Sequence, residues 1–123
     1  MDNLPKPYQQ FTREHSGVWE AYQALGKAAS EDGPLDMKTR ELVKLGMAAA
    51  GKSYSAVQSH THRALQAGAG ADEIEHTILL GVTTLGFPAM MAALSWAKAA
   101  MDTRAQGDSD NAAGDGKDTP GPG

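Results

Sequence analysis

The sequence contains no cysteine. It can therefore form no disulfide, hold no metal through thiolates and carry out no thiol redox chemistry. It also lacks a cluster of Lys and Arg, since its net charge is −4 and its acidic and basic residues are interspersed. That balance argues against a nucleic-acid partner. No segment alternates apolar and polar residues for long enough to predict a strand, so an all-α fold is expected.

Long hydrophobic segments are also scarce. Residues 77–97 carry no charge and are long enough to span a bilayer. Gly81, Gly86 and Pro88 interrupt this segment, which favours two helices separated by a break over one spanning helix. We therefore expect no membrane association, and an uncharged helix pair of this kind is more typical of burial within an oligomer. Residues 1–15 include no apolar run of the kind that a secretory signal has, so the expected location is cytoplasmic.

The chain of 123 residues is short enough for one domain. Residues 1–12 include Pro5 and Pro7 and show little periodicity, which predicts an extended arm. Residues 13–102 show helical periodicity and form the predicted helical domain. Residues 103–123 are rich in Gly, Asp, Ser and Pro and are expected to be disordered. Because so short a core buries a modest fraction of its surface, association into a homo-oligomer is a natural source of stability.

Five helices are predicted within the domain. The first has an apolar face of Val18, Tyr22 and Leu25 at helical spacing. Asp36 is the expected N-cap of the second helix, and Gly51 is the expected residue just beyond its end. The approximate predicted ranges are 13–30, 37–50, 53–67, 71–85 and 88–102.

One carboxylate and one imidazole are the strongest candidates for catalytic residues. Glu41 lies on the second predicted helix and His60 on the third. Two helices joined by a short turn pack antiparallel, so these side chains are expected to face each other. Leu45 and Ala48 give Glu41 an apolar flank, where burial is expected to raise its pKa toward the range useful for proton transfer.

The sequence is also compatible with purely structural roles for Glu41 and His60. Glu41 has Lys38 and Lys44 three residues away on either side and is compatible with simple intrahelical ion pairs. His60 is compatible with a hydrogen-bonded core histidine. His62 falls on the opposite side of the helix and is expected to be exposed. Because residues two apart on a helix point about 200° apart, His60 and His62 are not expected to share a metal ion.

Residues 46–53 match the phosphate-loop pattern G-x-x-x-x-G-K-[ST]. The pattern functions only between a buried strand and a helix. Here the intervening Met-Ala-Ala-Ala is strongly helix-forming and no strand precedes it. Nucleotide binding is therefore not expected, and no cofactor is predicted.

Several motifs together resemble the carboxymuconolactone decarboxylase family, which includes the alkylhydroperoxidase (AhpD-like) enzymes. The most specific are K-T-R-E-L at residues 38–42 and H-x-x-x-A-L-x-x-G at residues 60–68, followed by E-I at 73–74. Asp72 and the run G-F-P-A-M at residues 86–90 extend the similarity. The resemblance covers about residues 15–100. It implies an all-helical AhpD-like fold that assembles as a trimer or hexamer.

The resemblance also identifies what is missing. Peroxidase members have a Cys-x-x-Cys pair that three residues separate from a following His, and a proton-relay Glu twelve residues before the first Cys. Counting from His60 places that pair at Ser53 and Ala56, and the relay residue at Glu41. The carboxylate and the imidazole match, but both thiols are absent, which excludes cysteine-dependent peroxidase activity. The family signature also has Arg two residues after the His, where this sequence has His62 followed by Arg63.

The resulting hypothesis is a small-molecule enzyme, with a decarboxylase-like lyase as the candidate class, in which Glu41 and His60 act as catalytic acid and base. The reaction would be decarboxylation or isomerisation of an oxygenated acid or lactone. The alternative is a non-catalytic oligomeric binding or interaction module with a structural Glu41–His60 hydrogen bond. The predicted pocket residues are Ser53, Ala56, Val57, Phe87 and Met90.

Overall fold

The computed structural model describes residues 6–113, except for the side chains of residues 106 and 108–113. Within that range the chain forms six α-helices, one short 3-10 helix and no strand, which confirms the predicted all-α class. None of the described helices is long and apolar enough to cross a membrane. The helices are α1 (Lys6–Glu14), α2 (Ser16–Glu31), α3 (Met37–Ala50), α4 (Tyr54–Gln66), α5 (Ala71–Leu79) and α6 (Phe87–Ala113), with the 3-10 helix at Leu80–Thr83.

Local side-chain hydrogen bonds fix where the central helices begin. The Asp36 carboxylate accepts the backbone N–H of Thr39 at 2.8 Å and caps α3, as predicted. The Ser53 hydroxyl accepts the N–H of Ala56 at 3.3 Å and caps α4. Each cap satisfies one of the N–H groups that a helix start leaves without an intrahelical partner. These caps set the register of α3 and α4, which carry Glu41 and His60.

The turn between α3 and α4 differs from the prediction in one detail. Gly51 has a right-handed φ of −77°, and the left-handed residue is Lys52 at φ 56°. The chain therefore reverses one residue later than the glycine suggests. The reversal still brings α4 back antiparallel along α3, the contact on which the predicted site depends.

Helices α3 to α6 form the body of the protein, and its core is built from small side chains. Helix α4 packs between α3 and α6, and α5 packs against both of those helices. Alanines fill many of the buried positions, which lets the helix backbones approach closely. The buried apolar residues are Leu45, Ala48, Ala49, Val57, Ala64, Ala69, Ile74, Ile78, Met90, Ala93, Ala97 and Ala100.

Helices α1 and α2 form an arm that packs mainly on itself, and neither helix contains a buried residue. The predicted apolar face of α2 is present but uncovered, with Val18, Tyr22 and Leu25 exposed by 61%, 64% and 66%. The expectation of an extended chain over residues 1–12 differs from the structure, because α1 begins at Lys6. Pro7 lies in the first turn of that helix, where a missing N–H costs little. Residues 1–5 lie outside the described range.

The C-terminal half departs from the predicted helix ends. The fourth predicted helix stops at Leu79 and tightens into the 3-10 helix, before Gly86 at φ 96° turns the chain into α6. Helix α6 then continues to Ala113, eleven residues past the predicted end at Asp102. Ala, Arg and Gln within residues 103–106 are good helix formers, which the prediction of disorder from overall composition overlooked. The rest of the predicted tail, residues 114–123, lies outside the described range.

Candidate functional site

Glu41 and His60 meet between α3 and α4. The Nδ1 atom of His60 lies 2.8 Å from Oε1 of Glu41, and the two side chains are exposed by 19% and 14%. The two side chains are therefore mostly sheltered from solvent. The structure brings together the two residues that the sequence singled out, while their catalytic role remains a prediction.

The electrostatics of Glu41 differ from the sequence expectation. Burial, the largest single influence, raises the pKa of Glu41, but the hydrogen bond from His60 and the charges of His60, Arg63 and Lys44 together lower that pKa below its usual value. The predicted raised pKa is therefore wrong in sign. Several cationic neighbours outweigh partial burial. Glu41 is consequently a carboxylate at neutral pH and serves as a hydrogen-bond acceptor.

The state of Glu41 fixes the orientation of the imidazole. An ionised carboxylate can only accept hydrogen bonds, so Nδ1 of His60 carries the hydrogen that lies between them. In neutral His60 the other nitrogen, Nε2, then has a free lone pair. Nε2 has no hydrogen-bond partner among the residues that the structure describes. A base oriented by a second group, with one open nitrogen, is the arrangement that proton transfer requires.

Two cationic residues next to the Glu41–His60 pair were not predicted to belong to the site. Lys44 follows Glu41 by three residues on α3, and Arg63 follows His60 by three residues on α4. Both are half-buried, and their charges act on the Glu41 carboxylate. The available signal was this spacing, because residues three apart on a helix lie on the same side. The sequence pattern predicts Lys44 only as an ion-pair partner of Glu41.

His62 is half-buried, which contradicts the predicted exposure. Burial and, secondarily, the nearby Arg104 charge lower its pKa. Arg104 belongs to the part of α6 that extends past the predicted end at Asp102. Across the described residues, no group of three or more potential ligands is arranged to hold a metal ion.

The predicted pocket residues are distributed among three environments. Val57 and Met90 are core residues with 0% and 3% exposure, whereas Phe87 is 61% exposed at the start of α6. Ser53 is engaged as the α4 cap, and Ala56 packs on the edge of the core. None of the five lines either of the two surface grooves described next. Their role as pocket walls remains a prediction.

The first groove lies between the segment joining α2 to α3 and the outer side of α3, with a volume of about 200 Å³. Its lining is apolar apart from Ser30, Arg40 and Lys44. Lys44 follows Glu41 by three residues on α3, so this end of the groove lies about one helical turn from Glu41. The second groove, about 190 Å³, lies between α3 and the segment from α5 to Leu85. The lining residues of the first groove are Ala29, Ser30, Gly33, Leu35, Arg40, Val43, Lys44 and Met47.

Fold and site together define a class: all-helical proteins with a carboxylate–imidazole pair held between two antiparallel helices. The sequence profile of the carboxymuconolactone decarboxylase family matches residues 17–99. The chain belongs to that family. It lacks the cysteine pair, with Ser53 and Ala56 in those places.

Two relatives extend the comparison. An uncharacterized protein from Haemophilus influenzae is 36% identical over 62 residues, which span 50% of this chain and 55% of that protein. The chain thus matches only about half the length of this curated relative. A carboxymuconolactone decarboxylase family protein from Legionella pneumophila, solved in its apo form, superimposes with a TM-score of 0.71 at 26% identity. The superposition covers 78% of this chain and 86% of that structure.

Proposed function

We propose that the protein is a cytoplasmic small-molecule enzyme in which Glu41 orients His60 and His60 transfers the proton. The substrate would be an oxygenated acid or lactone, and the reaction a decarboxylation or an isomerisation. The observation that carries this proposal is the 2.8 Å contact between Nδ1 of His60 and Oε1 of Glu41, in a pair whose side chains are mostly sheltered from solvent.

The proposed chemistry divides the work between the two residues. In an isomerisation, Nε2 of His60 takes a proton from the carbon next to a carbonyl and returns it to another carbon of the resulting enolate. In a decarboxylation, the carbon–carboxylate bond breaks, carbon dioxide leaves and protonated Nε2 donates its proton to the enolate. Glu41 stabilises the imidazolium through Nδ1 in both cases. Such positioned proton transfer typically contributes about 10²–10⁴-fold in rate.

Peroxide reduction by the family's cysteine pair lies outside this proposal. Such chemistry needs a thiolate nucleophile. The chain has none, because Ser53 and Ala56 occupy the two positions. The remaining groups of the site, a carboxylate and an imidazole, are suited to moving protons.

We also propose that the protein works as a homo-oligomer, either a trimer or a hexamer. The uncovered apolar face of α2 supports this, because an isolated helix of its length is only marginally stable in water. Covering Val18, Tyr22 and Leu25 with another copy would supply the missing burial. Family membership supports the same expectation.

The test is turnover of a panel of β-keto acids and carboxylated lactones in deuterated water. Proton NMR would detect loss of carbon dioxide and incorporation of deuterium at carbon. His60→Ala is expected to lower kcat/KM by about 10²–10⁴-fold. Glu41→Gln is expected to do so as well, because its amide N–H can donate to Nδ1 and impose the wrong tautomer.

The matched control is His76→Ala, which removes an exposed histidine of α5 and is expected to leave turnover unchanged. Circular dichroism would confirm that each variant is folded. Turnover that survives both site substitutions would contradict the catalytic roles. A protein that converts no panel member, yet loses its oligomer in His60→Ala, would favour the non-catalytic interaction module.

A further inference from the structure

The second groove lies within an uncovered apolar surface of the body. Its nine lining residues carry no charge. Leu80 lines the groove, and Leu79 and Val82 belong to the same segment; all three side chains are exposed. Apolar surface of this kind on a soluble protein marks a site of interaction with another molecule.

Helix α2 presents the other uncovered apolar surface. Glu20 and Lys27 fall about 180–200° around the helix from Val18, so no charge interrupts this surface. All of its residues are exposed. The surface, called the α2 face below, consists of Val18, Ala21, Tyr22 and Leu25.

The α2 face and the second groove have complementary shapes. The α2 face carries three bulky side chains, whereas the groove is lined in part by small residues, among them Gly46, Ala50 and Gly81. A groove of about 190 Å³ accepts large side chains but not a whole helix, which is about 10 Å across. A helix that docks there therefore lies over the groove and inserts side chains into it, as packed helices do with each other.

The groove also suits the polar end of Tyr22. A buried tyrosine needs a hydrogen-bond partner for its hydroxyl group. Thr77 lines the groove, and its hydroxyl donates to the backbone carbonyl of Glu73 at 2.8 Å. The Thr77 oxygen can still accept a hydrogen bond, so the groove offers an acceptor to the phenol.

Other covers for the α2 face fit less well. Pairing the α2 faces of two copies would set bulky side chains against each other and leave the second groove uncovered. The first groove has Arg40 and Lys44 in its lining, and burying these charges under an uncharged helix face would be unfavourable. Within its own chain, α2 lines only the first groove, through Ala29 and Ser30 of its last turn.

We infer that the α2 face of one copy docks over the second groove of the next copy. Each copy then donates one arm and receives another, so the contact is head-to-tail. Contacts of this type form a closed ring when the rotation between copies permits it, and a ring of three is a trimer. The inference rests on the homo-oligomer proposed above and specifies the two surfaces that form its interface.

The absence of cysteine allows a direct cross-linking test. Ala21→Cys places a thiol on the α2 face and keeps its three bulky side chains. Thr84→Cys places a thiol at an exposed position of the groove lining. The two variants would be co-expressed and treated with a short bismaleimide. A covalent dimer is expected on a denaturing gel, and each variant alone is expected to remain a single chain.

Thr103→Cys is the matched control, because it makes the same exchange at an exposed position of α6 outside the groove. Co-expressed with Ala21→Cys, it is expected to give no dimer. Ala50→Lys, added to the Thr84→Cys copies, places a cation in the groove and is expected to abolish the dimer. A cation at the C-terminal end of α3 is compatible with the helix dipole, and circular dichroism would confirm folding.

Several results would overturn the inference. A dimer from Ala21→Cys alone would assign the α2 face to a second α2 face. Equal dimer yields with Thr84→Cys and Thr103→Cys would mean that the linking is not specific. In a chain carrying both Ala21→Cys and Thr84→Cys, a link confined to that chain would place the arm on its own body.

The sedimentation of the wild-type protein separates two kinds of failure. A stable monomer would refute the proposed oligomer and, with it, this inference. An oligomer whose Ala21→Cys and Thr84→Cys copies stay unlinked would refute the docking of α2 over the second groove and leave the proposed oligomer standing.

Discussion

The arm and the body of this protein have similar sequence patterns but very different environments. In the body, Ile74 and Ile78 follow helical spacing and are buried to 0% and 1% exposure. In the arm, Val18, Tyr22 and Leu25 follow helical spacing just as clearly and remain more than 60% exposed. Periodicity therefore identifies the apolar face of a helix but not the surface that covers it. In the body that surface lies within the chain, and for α2 we propose that it lies on another copy.

The largest change is expected from restoring the missing thiols to the body. Ser53→Cys combined with Ala56→Cys places two sulfurs at the start of α4, where the helix dipole stabilises a thiolate. Thiol-dependent peroxide consumption, measured with a dithiol reductant, is expected to appear in this double variant and in neither single variant. Adding His60→Ala is expected to reduce that new activity by about a hundredfold or more. A double variant that forms its disulfide yet consumes no peroxide would show that the body lacks the peroxidase geometry.

The next largest expected effect is a difference in unfolding free energy between substitutions in the body and in the arm. Leu45→Ala removes a fully buried side chain from the body and is expected to cost about 2–5 kcal/mol of unfolding free energy at any protein concentration. Leu25→Ala in the arm is expected to cost less than about 0.5 kcal/mol in dilute protein, and more as concentration rises. Urea unfolding at several concentrations measures both. If the two substitutions lower the unfolding free energy equally, and at every protein concentration, the arm packs on the body of the same chain.

Association is expected to depend on the arm. Tyr22→Asp places a charge on the uncovered face of α2, where burying it against another copy would be unfavourable. The expected result is a shift toward monomer in sedimentation velocity, with the helical content of the body unchanged. Glu20→Gln, an exposed change on the same helix, provides the control. A wild-type protein that sediments as a stable monomer would refute the oligomer itself.

The smallest expected effect is the pH dependence contributed by His62. Burial and the charge of Arg104 lower its pKa below the usual 6.5, so the unfolded chain takes up a proton before the folded chain does. Folding stability from this group is complete above about pH 6.5 and falls as the pH drops toward the lowered folded value. His62→Gln is expected to flatten the stability profile over that interval. A variant with an undiminished slope would show that other groups cause it.

The sequence was most informative where short-range signals agreed with the packing. Asp36 and Ser53 cap α3 and α4, and the turn at Lys52 brings Glu41 to His60 across two packed helices. All of these features depend on neighbours within a few residues or on one tight reversal. The central pair was therefore predictable from the chain alone.

The errors arose where distant parts of the chain decide the outcome. Burial raises the pKa of Glu41, and the hydrogen bond and charge of His60 on another helix, followed by the charges of Arg63 and Lys44, reverse the sign of the shift. Burial and then the charge of Arg104 lower the pKa of His62, and Arg104 lies in the part of α6 that overall composition did not indicate. Arg40 lines the first groove because the segment joining α2 to α3 lies beside α3, and the sequence pattern does not indicate that packing.

The central claim is that Glu41 holds His60 with hydrogen on Nδ1 and a free lone pair on Nε2. The most direct test is ¹H–¹⁵N NMR of the imidazole nitrogens at neutral to mildly alkaline pH, in wild type and in Glu41→Gln. The account predicts the Nδ1–H tautomer in the wild type and a shift toward Nε2–H in the variant. A wild-type His60 with hydrogen on Nε2, or a spectrum that Glu41→Gln leaves unchanged, would contradict it.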